Sequence, residues 1–267
     1  MICQRTLSRP ATVAALVALG ATACTGGGNA PPMEAATPAQ PDPNSPAVRV
    51  LNTSPYSIRA DAELSEFVST TGQAAYAANC ASCHGADMQG RPGIPNLVDY
   101  DWLWGVTGFE ANDAEPVMAI QQTLLYGIRN KDCPDIADVS YYGGCADTRY
   151  SEMPGYGTLG YSVDQMNDLV EKVVDLSGGD ADAEAVARAA NDWLACTECH
   201  GENGMGYKPY GGPDLTDDVW LYGGDRETLL SVIAAGRLGE CPPWGKSLDA
   251  ATIKSLAVHI WNTASGY

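Results

Sequence analysis

The chain has no run of lysines and arginines. Its 15 basic residues are scattered singly against 33 acidic ones, for a net charge of −18 over 267 residues. A nucleic-acid surface needs a basic patch or stripe, so that class of partner is set aside. Basic protein partners suit an acidic surface through electrostatic steering. No hydrophobic stretch is long enough to cross a bilayer as a helix: the apolar run "ATVAALVALGATA" ends after 13 residues, against about 20 for a span. Phenylalanine is reduced to 2 residues, while Tyr and Trp supply the aromatic content with 13 and 6.

That short run is preceded by Arg5 and Arg9 and stops at Cys24, the pattern of an export signal. Small residues before a single cysteine point to a lipoprotein-type signal over 1–23, with Cys24 as the lipid-bearing first residue. Ordinary cleavage after Ala23 is the alternative, since Ala21 stands where a leucine is usual. Either cut exports the chain and, by removing Arg5 and Arg9, takes its net charge from −18 to −20. Residues 24–60 are rich in Pro, Ala, Gly, Asn and Ser, which predicts a disordered tether on the periplasmic side of a bacterial membrane.

Two pentapeptides carry the chemistry: "CASCH" at 80–84 and "CTECH" at 196–200. C-x-x-C-H is the attachment signature of c-type haem. Its two thiols add across the haem vinyl groups and the next histidine is held under the iron. Cys80, Cys83, Cys196 and Cys199 are therefore read as the covalent attachment residues of two haem c, with His84 and His200 as proximal ligands. The sequence after each motif repeats as well. Pro95-Asn96-Leu97 matches Pro213-Asp214-Leu215, and "WLWG" at 102–105 matches "WLYG" at 220–223. "AIQQTLLYGIR" matches "LLSVIAAGR", each a helix with a glycine suited to its C-terminus. "EMPGYG" matches "ECPPWG", and each copy closes on a helix, N-capped by Ser162 or Asp249. The chain reads as one helical module, duplicated.

Helix, attachment site, long loop, helix, ligand loop, helix is the order of a class I cytochrome c. Over about residues 68–264 the chain resembles the dihaem cytochrome c subunit of cbb3-type haem–copper oxidases, through "PNLVDYDWLWG" with "GIR" and "PDLTDDVWLYGG" with "GR". The resemblance implies an all-α fold of two tandem class I cytochrome c domains, at 61–179 and 180–267, with an insertion at 130–150 in the first. It also implies electron transfer, with a basic cytochrome or an oxidase or reductase complex as partner. The chain departs from the pattern in having a lipoprotein-like signal in place of a transmembrane helix, and Met-Pro in only one ligand loop.

In tandem order, Met153 is the distal ligand of the first haem, 69 residues after His84; a thioether favours ferrous iron. Met88 and Met205 sit too close to the proximal histidines to reach over, and Met118 reads as core. Cys241 aligns with Met153 and would serve the second haem. Of nine cysteines, Cys133 and Cys145 fall in the insertion that the second copy lacks, and in an exported chain they most simply form a disulfide. Cys241 is then left over, as a thiolate ligand, as a disulfide partner of one of those two, or as a spectator thiol. Arg129 and Arg237 each follow a helix-ending glycine and could pair with haem propionates. His259 reads as a packed or surface histidine. Two functions compete: an electron carrier, and a dihaem sulfur-compound oxidoreductase of the thiosulfate dehydrogenase kind, using a His/Cys-ligated haem. The loop motifs, and the lack of a basic cluster for an anionic substrate, favour the carrier.

Overall fold

A computed structural model of the chain describes residues 42–99, 101–104, 114–129, 149, 151–207 and 210–266. The expected signal at 1–23, the lipidation site Cys24 and the Cys133–Cys145 disulfide lie outside the described residues. Among those described, the structure is helical, with isolated bridge pairs and no strands, and no helix is long and apolar enough to cross a membrane.

Ten α-helices are described: α1 (Pro46–Asn52), α2 (Pro55–Ala60), α3 (Ala62–Asn79), α4 (Ala81–His84), α5 (Ala114–Tyr126), α6 (Val163–Leu176), α7 (Ala183–Arg188), α8 (Thr197–His200), α9 (Arg226–Ala235) and α10 (Ala250–Ser265). A 3-10 turn, Asp192–Ala195, precedes α8. Their starts follow local chemistry. Asp61 caps α3 by accepting from the backbone N–H of Glu63 and Leu64. Ser162 forms a capping box with Gln165 on α6, and Asp249 accepts from Ala251 and Thr252 on α10. Gly127 and Gly236, which follow α5 and α9, have φ of +73° and +71°, a region open to glycine at little steric cost.

The helices build two separate cores, and their membership departs from tandem order. Core 1 contains Leu64, Val68, Tyr76 and Cys80 from α3 and its end, Val117, Ile120 and Leu124 from α5, and Ile253, Leu256, Ile260 and Trp261 from α10. Core 2 contains Met166, Leu169, Val170 and Val173 from α6, Trp193, and Leu229 and Ile233 from α9. The closing helix of the first repeat, α6, thus packs in the second core, and α10, the closing helix of the second repeat, packs in the first. The sequence boundaries 61–179 and 180–267 are corrected accordingly: core 2 is a continuous stretch from about Met153 to Ala235, and core 1 is assembled from the segments on either side of it.

The contact of α10 with α3 is close because Gly72 has no side chain. A Cβ there would meet His259 Cβ at 2.5 Å and the Ser255 carbonyl at 2.7 Å. His259 is therefore a packing residue of this crossing. The expected tether is also shorter than 24–60. In α1 and α2, which start on prolines suited to a first helical turn, Val50 and Ile58 are fully buried in core 1. Lys254 of α10 donates to the carbonyls of Leu51 and Thr53 at 3.1 and 2.9 Å, holding α1 down. Met118, expected in the core, is 65% exposed.

Candidate functional site

The two attachment motifs occupy the same local structure. Each forms a single helical turn, α4 or α8, and ends on a glycine of positive φ, Gly85 or Gly201. The backbone N–H of Gly90 donates to the His84 carbonyl at 2.8 Å, and that of Gly206 to His200 at 2.9 Å. Leu97 and Leu215 return to the carbonyls of Met88 and Gly204 at 2.8 and 2.7 Å. Asn96 and Asp214 then fold the Pro-Asx-Leu turn by accepting from the N–H of Val98 and Thr216 at 2.8 and 2.7 Å. This is the structural sense of the matching PNL and PDL tripeptides: the turn holds the carbonyl of Pro95 or Pro213 against the histidine.

His84 Nδ1 lies 2.9 Å from the Pro95 carbonyl and His200 Nδ1 lies 3.0 Å from that of Pro213. A carbonyl only accepts, so Nδ1 carries the proton and the Nε2 lone pair is left for a metal. Burial also holds His200 below the usual imidazole range, in its neutral, ligating form. The donor set thus fits covalent haem at both places: two thiols, and a histidine fixed in the metal-binding tautomer. Two tyrosines that sequence reasoning missed brace the motifs. Tyr76 donates to the Gly85 carbonyl at 2.6 Å, and Tyr156 to that of Ala195 at 3.0 Å. Burial raises both phenols, Tyr76 to about 12, so they stay protonated donors.

The ligand loops are crossed between repeats. Met153 lines one apolar cleft with His200, Cys196, Tyr156, Trp193 and Ile233. Its loop is tied to the end of α9, since the N–H of Met153 and that of Arg237 each donate to the other's carbonyl, at 3.1 and 2.9 Å. Cys241 is joined in the same way to the end of α5, through Ile128, at 2.9 and 3.2 Å. The following Trp244 and Leu248 pack on core 1. Burial pushes the Cys241 thiol up to about 11, with the Cys83 thiol nearby adding to the shift; Cys80 is raised to about 11 by burial and by the nearness of Cys241. The expected pairs, Met153 with His84 and Cys241 with His200, are therefore corrected. The structure brings Met153 to His200 and Cys241 to the Cys80–Cys83 motif. Met88 is buried in core 1 and Met205 is 60% exposed.

Arg129 is engaged, its guanidinium donating to the carbonyls of Ser151 and Gly239. It and Arg149, anchored on Gln122 and Thr123 of α5, lie 5.7 and 5.6 Å from the Trp104 ring centre. This pair would supply positive charge for carboxylates beside core 1. Arg149 had no signal in the sequence, because it falls in the insertion and has no counterpart in the second repeat. Arg237 packs over Tyr222 at 4.7 Å in the matching place on core 2.

A family model described as cytochrome C oxidase, cbb3-type, subunit III matches residues 68–139 and 181–260. The chain is 37% identical over 220 residues to the cbb3-type cytochrome c oxidase subunit CcoP of Cereibacter sphaeroides, covering 82% of this chain and 69% of that protein. It is 36% identical over 222 residues to the subunit FixP of Azorhizobium caulinodans, covering 82% and 68%. The CcoP subunit of Azospirillum sp. is 36% identical over 216 residues, covering 78% and 67%.

Proposed function

The chain belongs to the cbb3-type cytochrome c oxidase subunit III family, and from that premise we propose that it is an exported, lipid-anchored dihaem carrier that passes electrons between protein partners and on to a terminal oxidase. It is an electron-transfer cytochrome with two covalently bound haem c. The lipid anchor rests on Cys24 and the signal before it, and the oxidase partner rests on the relatives' names.

Each haem, when bound, supplies a one-electron ferric/ferrous couple. The protein's part is to hold it. We assign Cys80, Cys83, His84 and Cys241 to the haem of core 1, and Cys196, Cys199, His200 and Met153 to that of core 2. The observation that carries the carrier reading is the repeated pairing of a histidine, fixed at Nδ1 by a proline carbonyl, with a sulfur side chain brought to the same motif. A His/Cys-ligated haem is common to the carrier and to a sulfur-compound oxidoreductase, and what favours the carrier is the family match, which follows the loop motifs of an oxidase cytochrome subunit.

Intact-mass measurement of the mature holoprotein tests this reading. It should show the chain plus two haem masses and a diacylglyceryl group on Cys24, and reductive titration should take up two electrons per chain. A single haem, or a form that binds an external ligand at iron without displacing a protein ligand, would contradict it.

A further inference from the structure

Beyond the crossed cores, the two attachment sites differ in what surrounds them. Beside Cys196, three large aliphatic side chains stand in solvent: Leu159 and Val163 at 61% exposure and Leu194 at 66%. They lie on two segments that are bonded to each other at this edge. Tyr156 donates to Ala195, and Gln165 Nε2 donates to Asp192 at 3.1 Å. Leu194 adjoins Ala195, Leu159 closes a turn onto the Tyr156 carbonyl at 3.1 Å, and Val163 opens α6 two residues before Gln165. The aligned positions in core 1 are Ala78, Ser247 and Ala251, none of them large. Among the described residues, core 1 has no large aliphatic side chain at these aligned positions.

Charge follows the same asymmetry. Segments 151–165 and 190–206 carry five carboxylates, on Glu152, Asp164, Asp192, Glu198 and Glu202, and no lysine or arginine. The matching segments 74–90 and 239–253 carry three carboxylates and a lysine, Lys246. Like charge on the two segments that carry the exposed aliphatic residues disfavours a second copy of this chain, which would bring the same carboxylates, and an anionic lipid surface. It suits a cationic rim around an apolar centre.

We propose that the Leu159–Val163–Leu194 edge of core 2 is the docking face for a small soluble redox protein with a ring of lysines around its own cofactor edge. The external electron is then exchanged through the Cys196–Cys199 site and not through Cys80–Cys83. This rests on the dihaem carrier reading. One electron passes from the partner's reduced centre to the ferric centre of core 2, with no bond made or broken and no proton moved. The carboxylates steer the encounter, and the desolvated aliphatic contact sets its lifetime. An interface of this transient kind is small, below about 1,200 Å².

The test uses the full holoprotein and a lysine-rich mitochondrial-type cytochrome c as the probe, both fully oxidised so that no turnover intervenes. Binding is measured by calorimetry at low and high salt, and by chemical-shift mapping. The variant carries Leu159→Ser, Val163→Ser and Leu194→Ser, all at exposed positions; Met118→Ser, 65% exposed on core 1, is the control. The proposal expects salt-sensitive binding by the parent, weakened about tenfold or more in the triple variant and unchanged in the control, with both midpoint potentials unmoved. No binding by the parent at low salt, equal affinity of the triple variant, or a shift footprint centred on Cys83 would overturn it. So would a parent dimer that the triple variant abolishes, which would assign the face to a second copy. Failure of the dihaem reading would show separately, as a missing haem mass.

Discussion

Replacing Cys241 by methionine is expected to raise the midpoint potential of the haem at Cys80–Cys83 by about 0.3 V, or about 7 kcal/mol for one electron, and to leave the other wave in place. A thiolate is an anion and stabilises the ferric state, whereas a thioether is neutral and soft. Burial pushes the free thiol up to about 11, so the site does not favour an anion by itself, and the metal has to hold the sulfur deprotonated. A methionine at the same place asks for no such compensation. Redox titration of parent and variant, followed in the visible spectrum, checks this. An unchanged pair of waves would make Cys241 a bystander, and a shift in the haem at Cys196–Cys199 would restore the tandem pairing.

Removing α10 by ending the chain at Leu248 is expected to unfold core 1 and to spare core 2. The helix contributes Ile253, Leu256, Val258, Ile260 and Trp261, all 3% exposed or less. Losing one large buried side chain costs about 2–5 kcal/mol, so losing all of them exceeds the 5–15 kcal/mol that stabilises a typical domain. Hydrogen exchange resolves the two cores. Amides of α3 and α5 should lose their protection while those of α6 and α9 keep it. The opposite pattern would mean that α10 closes the second attachment site.

Much of this was legible in the sequence, and the limit lies at a definite place. The C-x-x-C-H motifs, the helix-ending Gly127 and Gly236 and the caps at Ser162 and Asp249 are local signals, and short segments carry them whole. Which ligand loop reaches which attachment site is a different kind of information. The order of helices and loops is identical whether the closing helices stay with their own repeat or exchange, because both arrangements bury the same amphipathic faces. The exchange is written in the backbone pairing of Ile128 with Cys241 and of Arg237 with Met153, and backbone pairing leaves no residue pattern. Met118 failed for a smaller reason. The buried stripe of α5 runs through Val117, Ile120 and Leu124, and one step along a helix turns a side chain by about 100°. Val50 and Ile58 were missed because helices of seven and six residues, with one and two buried residues, are too short to show a periodicity.

The crossed pairing is tested most directly by a holoprotein with one haem. In the double variant Cys80→Ala, Cys83→Ala, only the site at Cys196–Cys199 remains loaded. Its ferric spectrum should be low-spin with a methionine–iron charge-transfer band and no thiolate signature, because Met153 and His200 share one cleft. A thiolate-ligated spectrum from that single haem would contradict the account.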